Sequence, residues 1–474
     1  MGHSPTRLLA VQEEILRIVS TESEYYRYAA LSYCWGRMSE HQRIFLTTKS
    51  NITTRTQGFH LDELPLTIRD AIRTARVFNI DYIWIDAICI IQDDVEDWGR
   101  ESSQMDKVYR HAYLTFAAAN SESSFDGFLH DRDPSCRASL GFTFEDFKDH
   151  ERQTGLIHFR YPLETSTEDY LSQCKWEKRG WTLQERLLAT RALTFTKEAF
   201  YYECAALQKA EKGYKPPRRL KLSVLLPESI NLLPDEKLLR RQDYISSWYE
   251  LVKNYSIREL SCASDKLPAI EGLAATLRDL TQDSYVWGLW KSDIHRGLLW
   301  QTYGTWTVPR GRYRGPTWFW VSRDGPVFWD ESITKRKWRS LVETYDISPH
   351  LNCMQCNQTR TEQLELVAPM TSLKDYLFWD DDEWVPETLE EFIECGYDCP
   401  LIRDDESGVM PIFLADTKIV LIVEDETGNP HTILAQRLGD SDSNCFRRVG
   451  RLSDIRGKFM STWPTFESER IILV

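Results

Sequence analysis

The residues best placed to do chemistry are Trp181 and Glu185, in the run RGWTLQERLL (179–188). Four positions apart on a helix, they share one face. An indole can stack on a flat ring, and a carboxylate beside it can move a proton or stabilise positive charge. The same spacing also fits a plainer arrangement, with Glu185 paired to Arg179 or Arg186 and Trp181 in the core. A second group is Asp86, Gln92, Asp93 and Asp94, in or just after the apolar run YIWIDAICII (82–91). Asp86 stands among Trp84, Ile85 and Ile88, where an unpaired charge would be costly, so Arg179 or backbone amides are its expected partners. Gln92, Asp93 and Asp94 fall where a parallel sheet presents its carboxyl edge to ligands. Asp93 and Asp94 equally suit capping of a following helix. A third group, Ser32, Trp35 and Arg37, closes the buried run YAALSYCWG (28–36), with Arg37 the candidate for a phosphate.

Thiol and metal chemistry are poorly supported. Cys34 and Cys89 have no neighbouring His and lie in apolar runs, where a thiol stays protonated. Cys353-x-x-Cys356 has a zinc spacing, but Cys395-x-x-x-Cys399 is loose, so no structural zinc is expected.

These groups need a scaffold. The run 82–91 reads as a strand buried on both faces, followed by a helix with Trp98, Met105, Val108, Tyr109 and Ala112 at helical spacing. Residues 113–119 return as a strand, completing a βαβ unit and predicting an α/β fold. Before it come a hairpin over 7–20, a strand over 28–36 and a helix after Pro65 with Ile68, Ala71, Ile72, Ala75 and Phe78 inward. Residues 120–153 read as a surface insertion. A helix near Trp181 and strands at 192–195 and 200–204 complete a first domain, 1–205. The proline-rich GYKPPRR (213–219) marks the joint to a second, 206–474. That domain reads as mixed α+β: helical over 220–305, including 238–255, 263–280 and 284–301, then a strand at TWFWV (317–321) and β-rich to the end.

At 474 residues two domains are the default. A net charge of −14, from 58 basic and 72 acidic residues, argues against nucleic acid or an anionic membrane as a partner. No apolar run reaches the ~18 residues of a membrane span, and the N-terminal residues do not read as a signal peptide. An odd count of 11 cysteines, several in apolar strands, indicates reduced thiols and a cytoplasmic location. The 17 tryptophans either fill two cores or line a pocket for a flat ligand.

Four ordered blocks carry a resemblance: YAALSYCWG (28–36), LPLTIRDAI (64–72), residues 82–119, and RGWTLQERLLATRALTF (179–195) with YYEC (201–204). Together they resemble the fungal heterokaryon-incompatibility (HET) domain family. The blocks YSIRELSCASDKLPAIEGLA (255–274) and YRGPTWFWVS (313–322) look like what often follows that domain, although Phe319 stands where the family usually has a small residue.

HET domains are in turn similar to TIR domains, doubly wound, mostly parallel α/β modules of innate immunity and cell death. TIR enzymes carry a Trp and, four residues later, a Glu; here these are Trp181 and Glu185. The resemblance implies cleavage of NAD(P) at the nicotinamide–ribose bond, with Glu185 at the ribose, Trp181 on a ring, and Asp86 as third catalytic candidate. Ser32, Trp35, Arg37, Gln92, Asp93 and Arg179 would shape the binding site, with NAD(P) the substrate and no firm cofactor. It also implies a role in non-self recognition and cell death, with self-association through the HET domain and a protein partner in signalling. Two alternatives stay open: a scaffold without catalysis, and a small-molecule enzyme of secondary metabolism using the same cleft.

Overall fold

The computed structural model describes residues 4–21, 24–130, 137–145, 152–160, 171–211 (without 172, 198 and 205), 234–302, 316–330, 338–350, 361–373, 401–403, 416–427, 429–438, 445–452 and 466–473. By contacts the chain divides into two units. The first comprises residues 1–226, 259–261 and 268–273, and the second residues 227–258, 262–267 and 274–474. The proline-rich joint at 213–219 lies outside the described residues.

The first unit is built on YAALS. These five residues form strand β3 (Tyr28–Ser32), every one of them buried, as a strand in the middle of a parallel sheet must be. The expected hairpin precedes it as β1 (Arg7–Ala10) and β2 (Ile15–Ser20), antiparallel. Beyond β3 come the edge strand β4 (Phe59–His60) and helix α1 (Leu66–Val77). Helix α1 buries Ile68, Ala71, Ile72 and Ala75, but Phe78 lies past its end and is 43% exposed rather than inward.

The long buried strand expected over 82–91 is short. Strand β5 covers only Tyr82–Trp84, and Asp86–Cys89 turn into a single helical turn, α2. Asp86 causes the change: its Oδ1 accepts the N–H of Ala87 at 2.7 Å, which starts the turn, while Ile88 and Cys89 bond back to the Ile85 carbonyl. Apolar composition alone cannot distinguish a buried turn from a strand. Helices α3 (Val95–Ser102) and α4 (Met105–His111) follow, and β6 (Leu114–Ala118) returns fully buried. Helix α5 (Gly180–Leu188) leads to β7 (Arg191–Phe195), β8 (Phe200–Cys204) and β9 (Gln208–Ala210). The surface insertion expected over 120–153 holds only in part: Ser121, Ser124 and Phe128 are buried, Phe128 in the core of the first unit, and further on Arg137–Glu145 pair antiparallel with Arg152–Arg160.

The nine strands run β9-β8-β7-β6-β3-β5-β1-β2-β4. The four central ones, β7, β6, β3 and β5, are parallel, and those outside them are antiparallel. The chain steps from β3 to β5 on one side and then returns to β6 on the other, so strand order reverses at β3. Ser32 ends β3 at that reversal, on the edge where open α/β sheets bind ligands.

The second unit differs from the mixed α+β expectation: its β-rich part is a small closed barrel. Five strands, β10 (Thr361–Ser372), β11 (Thr417–Asp425), β12 (Pro430–Arg437), β13 (Cys445–Leu452) and β14 (Ser468–Leu473), pair in the ring β11-β12-β13-β14-β10-β11. All neighbours are antiparallel except β13 and β14. Closure leaves no free edge within the ring.

Helices α6 (Pro234–Ser256) and α7 (Pro268–Thr281) form as expected. The expected helix over 284–301 does not. Tyr285–Val286 and Leu289–Trp290 make a tight hairpin whose two turn residues, Trp287 (φ 50°) and Gly288 (φ 90°), are both left-handed, the signature of a primed turn. TWFWV is likewise not a strand. Trp320–Ser322 form a 3-10 turn, and Trp318, Phe319 and Trp320 are fully buried, so the run carries no alternating face. Trp248 and Trp320 each donate an indole N–H to the Gly288 carbonyl, at 3.1 and 3.0 Å. Trp248, Trp290, Trp300, Trp318 and Trp320 lie entirely inside, which accounts for much of the tryptophan excess as core.

Candidate functional site at the carboxyl edge of the parallel strands

Three segments bring the candidate residues together. Strand β3 delivers Ser32 and then Tyr33, Cys34 and Trp35. The turn after β5 delivers Asp86. The chain from Trp176 into α5 delivers Arg179, Trp181 and Glu185.

At the centre Ser32 donates its hydroxyl to Oε2 of Glu185 and accepts the indole N–H of Trp176 at 2.8 Å. All three are buried, Glu185 to 4% exposure. Burial pushes the Glu185 carboxyl up from 4.5 to about 7, with nearby Asp86 adding to the rise; the Arg179 guanidinium and the Ser32 hydroxyl oppose it. Arg179 donates to the Tyr33 carbonyl. Burial disfavours its charge, but Glu185, Cys34, Asp86 and Tyr33 together more than compensate, so it is held as a firm cation. Trp181 is half-buried, one helical turn from Glu185.

Asp86 is also half-buried. Its carboxylate accepts from the Trp35 indole at 2.8 Å and from the Ala87 N–H, and its pKa is raised by burial against the pull of Arg179 and these donors. It therefore has backbone, indole and Arg179 as partners. Gln92 turns its amide inward, to the carbonyls of Asp86 (2.9 Å) and Ile90 (3.2 Å), and so braces the turn. Asp93 accepts the Lys49 N–H at 2.8 Å. Asp94 caps α3, accepting from the N–H groups of Glu96 and Asp97 at 3.1 and 3.3 Å. Arg37 is exposed and has no hydrogen-bond or ion-pair partner among the described residues.

The structure thus gathers Ser32, Trp35, Asp86, Arg179 and Glu185 into one polar group, while Gln92, Asp93 and Arg37 lie at its margin. The thiols are held in protonated form by burial, Cys34 at about 11 and Cys89 at about 12. Sequence reasoning missed Trp176, which anchors Ser32, and Tyr33, whose phenol is pushed up by burial and by Asp86. The one available signal for Trp176 was an indole inside the charged run KWEKRGW, where a surface would carry none. Cys353, Cys356, Cys395 and Cys399 lie outside the described residues. No helix among the described residues is long and apolar enough to cross a membrane.

Chemically the group combines a carboxyl that titrates near neutrality, a fixed cation and two indole N–H donors, in an α/β domain whose strand order reverses at that point. Residues 28–185 match the family model for the heterokaryon incompatibility protein (HET), so this part of the chain is a HET domain. No curated protein and no solved structure matches the chain.

Proposed function

We propose that this chain is a fungal heterokaryon-incompatibility protein whose HET domain acts as a signalling module in non-self recognition and cell death, in the cytoplasm. The observation that carries the reading is the HET match over 28–185, which spans Ser32, Asp86, Arg179 and Glu185 alike. In the resting arrangement Glu185 bonds to Ser32 and is 4% exposed, so the carboxyl edge is closed and held by its own residues. That favours signalling through self-association or a protein partner over turnover in this state. Size-exclusion chromatography with light scattering tests it: assembly should depend on the HET domain and weaken when Ser32 is replaced by Ala.

A second reading has its own support. A carboxyl with a pKa near 7, at the carboxyl edge of a sheet whose order reverses, suits a TIR-like, doubly wound domain that cleaves NAD(P). As nicotinamide leaves, positive charge grows on the ribose. Ionised Glu185 would stabilise it, and water would add at the same carbon to give ADP-ribose, nicotinamide and a proton. Trp181 would stack on a ring, with Asp86 as a second catalytic carboxylate. Ser32, Trp35, Gln92, Asp93 and Arg179 would position the substrate, and Arg37 would take a phosphate. The test is nicotinamide release from NAD and NADP by the full chain beside Glu185→Gln. Release abolished by the substitution supports cleavage. Equal background from both proteins, at concentrations where the chain self-associates, removes this reading and leaves the first.

A further inference from the structure

Residues 259–261 and 268–273 follow the matched HET segment in the chain, yet they fold with it. They lie as a strap on the helix that carries Trp181 and Glu185. Gly180 donates its N–H to the Glu259 carbonyl at 2.7 Å, and Glu259 donates to the Lys178 carbonyl at 2.5 Å, a parallel bridge on either side of Arg179. Leu260 packs over Gly180 so closely that a Cβ on that glycine would collide with its Cδ2. Gly272, near the start of α7, approaches Asp106 of α4 and the side-chain oxygen of Gln184 with the same lack of room. Two of these three contacts run against a glycine, where an added Cβ would force the neighbour to shift.

One contact is imperfect. Gln184 is 1% exposed, and neither its amide nitrogen nor its oxygen has a hydrogen-bond partner among the described residues. A buried amide left unpaired carries its full desolvation cost. That cost disappears when water reaches the side chain, so the docked strap is held against a standing penalty.

We infer that the strap is a releasable brake on the carboxyl edge. Docked, it fixes the backbone around Arg179 and the start of α5, and Glu185 stays closed on Ser32. Undocked, it frees α5 to move and opens that edge. The inference rests on the proposed function only in taking Ser32 and Glu185 as the working edge. On both sides the strap's chain neighbours, 227–258 and 274–474, fold with the second unit, so a protein partner that engages that unit can pull on the strap through the covalent chain.

The test is hydrogen exchange by mass spectrometry on the full chain carrying Leu260→Asp or Gly272→Val. Both variants should exchange about tenfold faster over 179–188 and 28–36, the effect expected when overpacking or a misplaced charge breaks a packed contact. The barrel strand 417–425 should be unchanged, and Leu260→Met should restore wild-type exchange. Wild-type protection of 179–188 in both variants overturns the brake. Nicotinamide release by the same variants is a separate readout. Faster exchange without release keeps the brake and removes only the catalytic reading.

Discussion

Glu185→Gln should remove a pH dependence of stability, and the structure sets its sign and size. In the folded chain the carboxyl is raised from 4.5 to about 7, chiefly by burial. Below pH 4.5 the folded and unfolded chains both hold this proton, and above about 7 neither does. Between those limits the folded chain is protonated and the unfolded chain is not, so stability falls as pH rises through the window. At about 1.4 kcal/mol per tenfold, the change across it is roughly 3 kcal/mol. For a unit of 150–250 residues, 1 kcal/mol moves the midpoint by about 2–4 °C, so the effect amounts to roughly 6–12 °C. Gln keeps the shape and can still accept from Ser32, but it cannot titrate.

The assay is thermal unfolding of both proteins from pH 4.5 to 8, followed on the transition of the first unit, since a chain with two units need not unfold in one step. Carboxylates remote from Glu185 contribute equally to both proteins and cancel in the difference. Asp86 does not cancel fully. Below about pH 7 Glu185 is neutral in both proteins, so the difference arises only above it, where ionised Glu185 repels Asp86 in the wild type alone and acts in the same direction. The wild type should therefore lose stability relative to the variant as pH rises. Parallel midpoints across the range would refute the buried, neutral carboxyl and the closed edge built on it.

Ser32→Ala removes the hydroxyl that links Glu185 to Trp176, leaving the buried Trp176 indole N–H unpaired and Glu185 one donor short; the first unit should lose about 1–3 kcal/mol, read as a lower unfolding midpoint with the barrel unaffected. Asp94→Ala deletes the cap of α3 and should lower the unfolding midpoint of the first unit slightly, with faster amide exchange at Glu96 and Asp97, while leaving the pH profile of Glu185 in place.

How far the site could be read beforehand depended on which property was asked. Residue type and spacing placed Trp181 and Glu185 on one helix and gave Asp94 a cap, because both follow from short-range geometry; Arg179 or backbone amides were expected beside Asp86 only from the cost of burying a lone carboxylate. The parallel strands were legible for a related reason: YAALS and LTFAA are apolar but for one small hydroxyl side chain each, and buried at every position, as strands covered on both faces must be. Two failures came where a run was short and almost wholly apolar. YIWIDAICII and TWFWV hold no period, so the decision fell to local detail such as the Ala87 N–H to Asp86 bond; the helix expected over 284–301 was lost instead to Trp287–Gly288 in the left-handed region. The barrel was hidden because closure is a pairing between β10 and β11, over forty positions apart, that leaves no mark on either strand.

Whether Glu185 meets water was the property least accessible to sequence. A carboxylate at this spacing reads the same whether it lines a groove or seals one. What decides between them is Trp176 and Ser32, from elements some 144 positions apart, and the strap at 259–261, which lies beyond the matched segment. The closed edge is thus a property of the whole first unit rather than of the motif. A segment ending at 185 would carry Trp181 and Glu185 without the backbone bridge at Arg179 or the packing on Gly180, and its carboxyl should titrate closer to 4.5 than in the full chain. The chemistry of the WTLQE run therefore has to be judged in chains that retain residues 259–273.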